Sequence, residues 1–317
     1  MGLSGSKEAE KDKAIAKIVY EALGAEKKLP EWAIKNEIFS FKDLSAALKA
    51  AGLESSNLIV GIDFTSSNKT QGSKSFGGKS LHALSSTEAN PYELVLELIW
   101  NSISDLDDDG ILTMYAFGDT RTRHQSVQPI GDTPCNGLDH ALREYRKAAK
   151  LLKLSGPTSF APLIREAIRV VQESGDQYHI LLIIGDGEVS HDLDCLGDSR
   201  RAIVEASSHP LSIVMVGVGD GPFDLMHELD DGLAERRFDN FQFVPLAPFQ
   251  ALLAHGRRSV VECAFAVAAL QEIPEQYTAI RDLGLLGHGT AAPAATGKRA
   301  ADAREGSEES PAKSRRT

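Results

Sequence analysis

The sequence predicts an α/β protein built on a doubly wound, mostly parallel sheet flanked by helices, with an N-terminal helical extension. Two observations carry that expectation. Four runs, "NLIVGID" (57–63), "ILTMYAFGD" (111–119), "YHILLIIGDGEV" (178–189) and "LSIVMVGVGDG" (211–221), are almost continuously apolar before they meet a polar turn. Strands buried on both faces read that way, whereas strands with one wet face alternate. Between these runs lie segments with helical spacing, and alternation of the two kinds of element is the pattern of crossover-connected parallel strands.

Taken in order, residues 7–24 place Ile15, Ile18, Val19, Ala22 and Leu23 on one helical face, and Pro30 interrupts any continuation. "SFKDLSAALKAA" (40–51) is expected as a helix capped by Ser40 and stopped by Gly52. After the first strand, residues 69–82 are polar and glycine-rich and read as a loop. "PYELVLELIWNSIS" (91–104) opens with proline at a helix start. "GLDHALREYRKAAKLL" (137–152), "FAPLIREAIRVVQES" (160–174) and "RAIVEASS" (201–208) are further helices, "DNFQFVPL" (239–246) a last strand, and "VVECAFAVAAL" (260–270) a core helix too short to span a bilayer. From residue 287 the composition shifts to Gly and Ala, then to Glu, Lys, Arg and Ser, the composition of a disordered tail. The expected organisation is therefore an arm over 1–37, an α/β domain over 38–286 and a tail over 287–317.

Composition narrows the function classes. A formal net charge of −11 argues against a nucleic-acid partner, whose phosphates need a concentrated basic face. Cys135, Cys195 and Cys263 are far apart, with no CxxC pair, which argues against a disulfide scaffold or a cysteine-rich zinc site and for a reducing compartment. No secretory signal pattern is present. "MGLSGSK" fits the M-G-x-x-x-[ST] pattern and marks Gly2 as a candidate for N-myristoylation; one such chain gives only reversible membrane contact.

The chemistry is expected at the carboxyl ends of the strands, where open parallel sheets bind ligands. "GIDFTSSN" places three side-chain oxygens, Asp63, Thr65 and Ser67, at alternate positions after the first strand. Thr158, in the turn before the 160–174 helix, and Asp186, at the end of "LLIIGD", belong to two other turns on the same rim. Together they offer two carboxylates and three hydroxyls, hard oxygen donors suited to Mg²⁺, with Mn²⁺ or Ca²⁺ as alternatives. Thr65, Ser67 and Thr158 are expected as direct ligands, with Asp63 and Asp186 acting mainly through oriented water. Taken alone, the Asp63–Ser67 segment reads equally well as a helix cap with turn hydrogen bonds. Asn68 is expected to bond the turn backbone, and Asp119 either to tune the rim or to cap a turn. Glu188 and Asp192 read as solvated loop residues or as groups that tune the rim, and His191, a single histidine, does not argue for a metal. "DLDDDG" (105–110) lacks the glutamate a calcium loop needs, since Ala116 stands there; "GGKS" (77–80) lacks the first P-loop glycine, which Ser73 replaces. No nucleophile–base pair stands out, so no catalytic residue is assigned, and metal-assisted hydrolysis is a minor alternative.

The D-x-T-x-S segment, "SGPTSFAPLI" and "IIGDGEV" resemble the metal-ion-dependent adhesion site of von Willebrand factor A domains, a Rossmann-like fold. "YAFGD", "REYR", "PLSIVMVGVGDGPF" and "FQFVPL" narrow the resemblance to copines. "AALKAAGLESSNLIVGIDFTSSN" and "EIPEQYTAIRDLGLLG" are most similar to plant RING-type ubiquitin ligases with copine-like A domains. The resemblance covers roughly residues 38–287. It implies a divalent-cation-dependent protein-binding domain, a protein ligand supplying an acidic residue to the metal, and myristoylation at Gly2. It also implies a link to ubiquitination machinery. The sequence after Gly287 has no cysteine with which to form a RING, so the alternative function is a ubiquitin-transfer scaffold working with a separate RING protein. A degenerate A domain with an empty metal site is a third reading. The expected localisation is cytoplasmic, with peripheral plasma-membrane and nuclear pools.

Overall fold

A computed structural model describes residues 41–50, 52–53, 55–103, 110–131, 134–187, 189–190, 193–253 and 258–287. The expected helix at 7–24, Pro30, the Ser40 cap, Gly2, most of "DLDDDG", Glu188, His191, Asp192 and the tail after 287 lie outside the described residues.

The chain runs α1 (Phe41–Ala50), β1 (Asn57–Asp63), a 3₁₀ turn (Ser66–Lys69), α2 (Pro91–Ile103), β2 (Ile111–Phe117), β3 (Gln128–Pro129), β4 (Cys135–Asn136) and α3 (Gly137–Leu151). It continues with α4 (Ala161–Glu173), β5 (His179–Gly185), α5 (Leu193–Ala206), β6 (Leu211–Gly217), α6 (Asp224–Asp231), β7 (Phe241–Pro245), α7 (Ala247–Leu253), α8 (Arg258–Leu270) and α9 (Ile273–Asp282). Strand order is β3-β2-β1-β5-β6-β7. The pairs from β2 through β7 are parallel, while the two-residue strands β3 and β4 pair antiparallel with β2. A mostly parallel α/β sheet is thus observed, with an antiparallel edge that the sequence reading did not anticipate.

Alternate strand residues fill two cores. Leu58, Val60 and Ile62 of β1 and Ile180, Leu182 and Ile184 of β5 face one layer, with Leu98 of α2 and Phe265 of α8. Ile59, Leu181 and Ile183 face the other, under Leu163 and Ile164 of α4 and Ile203 of α5. Both faces are dry, which is why the strands carry no polar alternation. Gly61 permits the closest contact: a Cβ there would sit 2.0 Å from Leu163 Cδ2, so α4 packs directly on the β1 backbone.

Two expectations shift. The helix read at 201–208 begins at Leu193, because "LDCLGDSR" continues its buried face through Cys195 and Ser199. The turn after β1 enters a 3₁₀ turn and then the expected loop, and the next helix starts at Pro91 as read from the sequence. Helices α6, α7 and α9 were not anticipated; they are short, seven to ten residues each. Among the described residues no helix is long and apolar enough to cross a membrane.

Candidate metal centre

Strand β1 lies between β2, which follows it, and β5, which arrives later on its other side. The crevice beyond β1 and β5 is therefore the topological switch point of the sheet, where side chains from diverging loops can meet around a ligand. Asp63 ends β1. Register pairs Ile62 with Ile184, which puts Asp63 level with Gly185 and Asp186 one residue further on. A Cβ on Gly185 would lie 3.1 Å from Asp63 Oδ2, so the β5 backbone runs against the Asp63 carboxylate.

Asp63 and Asp186 are both fully buried. Asp63 Oδ1 accepts the Thr65 N–H at 2.7 Å, while Oδ2 has no hydrogen-bond partner among the described residues. Burial, and then the neighbouring Asp186 charge, push the Asp63 carboxyl well above the usual carboxylate range; the Thr65 hydrogen bonds oppose this. Two like charges desolvated side by side are unfavourable by several kcal/mol unless a counter-charge joins them.

Two of the three hydroxyls meet at the turn after β1. Thr65 Oγ1 and Ser67 Oγ are 2.9 Å apart. Thr65 stands at the N-cap of the 3₁₀ turn yet makes no side-chain capping bond, so capping does not explain these oxygens. The loop preceding α4 is stitched beside them: Thr65 bridges Ser155, and Ser66 N–H donates to Ser155 O at 2.5 Å. That loop carries Thr158, whose N–H donates to Ser190 Oγ at 2.9 Å and whose carbonyl accepts from Ser190 N at 3.2 Å, tying it to the segment after Asp186. Gly118 completes the enclosure at φ +80°; a Cβ there would lie 2.3 Å from Thr65 Cγ2. Among the described residues no group of three or more His, Cys, Asp or Glu side chains gathers around one point. Two carboxylates with hydroxyls form a different kind of donor set, all hard oxygen, which fits Mg²⁺, Mn²⁺ or Ca²⁺ and not a thiolate-seeking metal.

Below the rim lies a buried polar stack. The His82 ring sits between Phe64 (4.4 Å between centroids) and Tyr92 (4.1 Å). His82 Nε2 is 2.7 Å from the Asp63 carbonyl, which only accepts; Nε2 therefore carries the proton and Nδ1 accepts from Tyr145 OH at 2.9 Å. Burial lowers the His82 pKa to about 4 and keeps the ring neutral. Tyr92 OH donates to Asn68 Oδ1 at 2.6 Å, and Asn68 Nδ2 donates to Thr65 O at 3.2 Å, the turn-bracing expected of Asn68. Asn90 and Glu93 cap α2 reciprocally: Asn90 Oδ1 accepts the Tyr92 and Glu93 N–H groups at 3.0 Å, and Asn90 N–H donates to Glu93 Oε2 at 2.8 Å. Arg146 pairs with the buried Glu93. Tyr145 and Arg146 are thus both tied into this substructure. Asp119 settles as a turn cap, its Oδ1 accepting Thr122 N–H at 2.9 Å and Thr122 Oγ1–H at 2.5 Å. Sequence reasoning missed His82 and Tyr92; "NPYE" was the one local signal, as a capping box.

A mostly parallel sheet with helices on both faces and two buried aspartates at its switch point makes the chain a doubly wound α/β domain. The copine family profile matches residues 80–289, and the chain belongs to the copine family. It is 49% identical over 261 residues to E3 ubiquitin-protein ligase RGLG5 of Arabidopsis thaliana, covering 79% of this chain and 60% of that protein. It is 45% identical over 253 residues to copine family protein 1 of Caenorhabditis elegans, covering 78% and 22%. The chain thus spans about three fifths of the first of these relatives. A von Willebrand factor type A structure from Catenulispora acidiphila aligns at 15% identity over 67% of this chain and 43% of that one, with a TM-score of 0.42.

Proposed function

We propose that this copine-type domain binds proteins through a divalent cation, Mg²⁺ or a similar ion, held by Asp63, Thr65, Ser67, Thr158 and Asp186. The observation that carries the reading is the pairing of two fully buried aspartates at the sheet's switch point, with Asp63 Oδ2 lacking a hydrogen-bond partner among the described residues. The bound ion would supply an electrophilic position open to a partner's Asp or Glu. The protein's own part is to fix the donors: the Thr65 N–H orients Asp63, and the Ser155 and Ser190 contacts hold the Thr65 and Thr158 turns together. The donor set is read as one for recognition and not for turnover.

Mn²⁺ titration followed by electron paramagnetic resonance tests this. Wild type is expected to bind with loss of the free-ion signal, and Asp186→Ala to lose at least about tenfold in affinity while keeping its fold. Equal titrations for both proteins would end the proposal.

Similarity to a ubiquitin ligase favours a second reading, substrate recruitment for ubiquitin transfer beside a RING protein. Transfer by the purified chain with E1 and E2 alone would overturn the non-catalytic assignment. A cytoplasmic setting with reversible membrane contact through myristoylated Gly2 belongs to the same proposal, and mass spectrometry of the N-terminus tests it.

A further inference from the structure

Beside the candidate metal rim, two loops form a basic shelf that none of the site chemistry uses. A cleft of about 410 Å³ is lined by Asp119, Thr120, Arg121, Leu151, Leu152 and Lys153. Its two walls are joined by backbone: Thr120 N–H donates to Lys153 O at 3.0 Å, and Asp119 bridges Leu154. The next residue, Ser155, bridges Thr65, so the cleft is continuous with the rim.

The cleft is built, not frayed. Buried Asp119 ties down the Thr122 turn, and Arg123 is held at φ +46° with its N–H on Asp119 O (2.9 Å) and its carbonyl on Gly118 N (3.2 Å). A non-glycine residue in that backbone region is uncommon, and such strain collects at binding loops. Arg121, Arg123 and Lys153 are exposed, and among the described residues none has an ion-pair partner. On a chain of net charge −11 whose other described arginines largely sit in ion pairs (Arg146, Arg165, Arg169, Arg200 and Arg236 among them), that is a distinct local field. At the same cleft Leu151 is 77% exposed, the most exposed large hydrophobic side chain described.

We propose that this shelf is the specificity surface of the domain: it docks an acidic peptide segment of a partner protein, seating an apolar side chain on Leu151 and further carboxylates on Arg121, Arg123 and Lys153. The proposal rests on the metal reading only for the partner's first carboxylate; the shelf's own charge and apolar contact stand independently of it. A peptide fits better than a phosphate polymer. Three cations flanking a small concave cleft are too few to neutralise a nucleic-acid backbone, and the chain's net charge of −11 opposes one. A leucine among arginines suits a mixed acidic–apolar segment, whose charges steer encounter and whose apolar anchor slows release.

The test is selection from a random-peptide phage library on immobilised full-length protein, in Mg²⁺ and in EDTA. Wild type is compared with Arg121→Glu/Lys153→Glu and with a control that reverses two exposed cations on α1 and α9, Lys49→Glu/Arg281→Glu. Thermal melts confirm that the surface variants fold. Wild type and control are expected to select peptides enriched in Asp and Glu beside Leu, Ile or Phe, and the shelf variant to lose that enrichment. A synthetic peptide of the selected sequence should bind the shelf variant about tenfold more weakly, and bind wild type more weakly as salt rises. Identical selections by wild type and shelf variant overturn the shelf, while Mg²⁺ dependence in both leaves the metal reading standing. Acid enrichment that needs Arg121 and Lys153 but not Mg²⁺ supports the shelf and counts against the metal. No enrichment by wild type overturns the shelf. So does Arg121- and Lys153-dependent binding of phosphatidylserine vesicles without an acidic peptide motif, which would identify a lipid surface instead.

Discussion

Asp63 and Asp220 follow neighbouring parts of the same sheet, one ending β1 and the other just beyond β6, yet their surroundings are opposite. Asp220 is saturated: Ser73 Oγ–H, Lys74 N–H and Ser75 N–H donate to it at 2.6, 2.8 and 2.7 Å. Desolvation raises its pKa, but these hydrogen bonds outweigh it and hold the carboxyl below the usual range. Asp63 is fully buried, receives one short N–H bond, faces Asp186 and is pushed well above the range. Hydrogen bonds are concentrated on the acid that fastens a loop. The acid at the switch point is left under-satisfied, the condition in which a cation binds well.

The sharpest way to break that comparison is Asp63→Asn, which removes the charge at nearly constant shape. Affinity for Mn²⁺ should fall by more than about 100-fold, read by titration. Metal-free stability should move the other way and rise by about 1–2 kcal/mol near neutral pH, because a buried like-charge pair is relieved. The sign follows from linkage: a carboxyl with a raised folded pKa binds more protons folded than unfolded, so its contribution falls as pH rises above the unfolded value of 3.8. The gain from Asp63→Asn should therefore be larger at pH 7 than at pH 4. Destabilisation by this substitution in EDTA, measured by urea unfolding, would mean that Asp63 is structural after all.

After that loss of metal affinity, the largest effect on stability belongs to His82, with the opposite slope. Its folded pKa of about 4 lies below the unfolded 6.5, so the unfolded chain binds the extra proton between those values. Stability attributable to His82 is complete above pH 6.5 and is lost as pH falls towards 4, by about 3 kcal/mol for this buried ring. In wild type the Asp63 and His82 slopes oppose each other. His82→Gln should leave stability falling with pH over this interval, and Asp63→Asn should leave it rising. Parallel profiles for the two variants would show that these groups do not set the acid response.

How much of this the sequence disclosed depended on whether the physics was local. Buried parallel strands were legible because they are apolar without alternation, and the turns after them located Asp63, Thr65, Ser67, Thr158 and Asp186 as one candidate set. The helix starts at Pro91 and before Ala161 were legible from proline and the preceding polar residues. His82 was not, because it lies in a polar loop and its partners Tyr92 and Tyr145 come from α2 and α3, with Tyr145 63 residues away. Nor was Asp220, whose donors lie 145 to 147 residues earlier, in a loop that reads only as polar and glycine-rich. The two-residue strands β3 and β4 carry too few residues for any periodicity. Pairings that chain topology creates between distant loops leave no trace in spacing.

The smallest effect belongs to the acid that looks best bonded. In Asp220→Asn the amide replaces one carboxylate oxygen with a donor, which then faces either the Lys74 or the Ser75 N–H and repels it. Charged hydrogen bonds contribute about 1.5–3 kcal/mol each when dry, but this latch is partly exposed and solvent screens it, so a loss of about 1 kcal/mol is expected. Because the folded pKa is depressed, the latch acts above the ordinary carboxylate value near 3.8 and weakens as pH falls below it. Wild type and Asp220→Asn should thus differ at pH 7 and converge in acid, while Mn²⁺ affinity stays within about twofold. Opening should be confined to the 72–80 loop, visible as faster amide hydrogen exchange at Lys74 and Ser75 with β1 and β5 unchanged. If Asp220→Asn instead reduced metal affinity as Asp63→Asn does, the loop latch and the switch-point acid would be parts of one device, and the contrast drawn between them would fail.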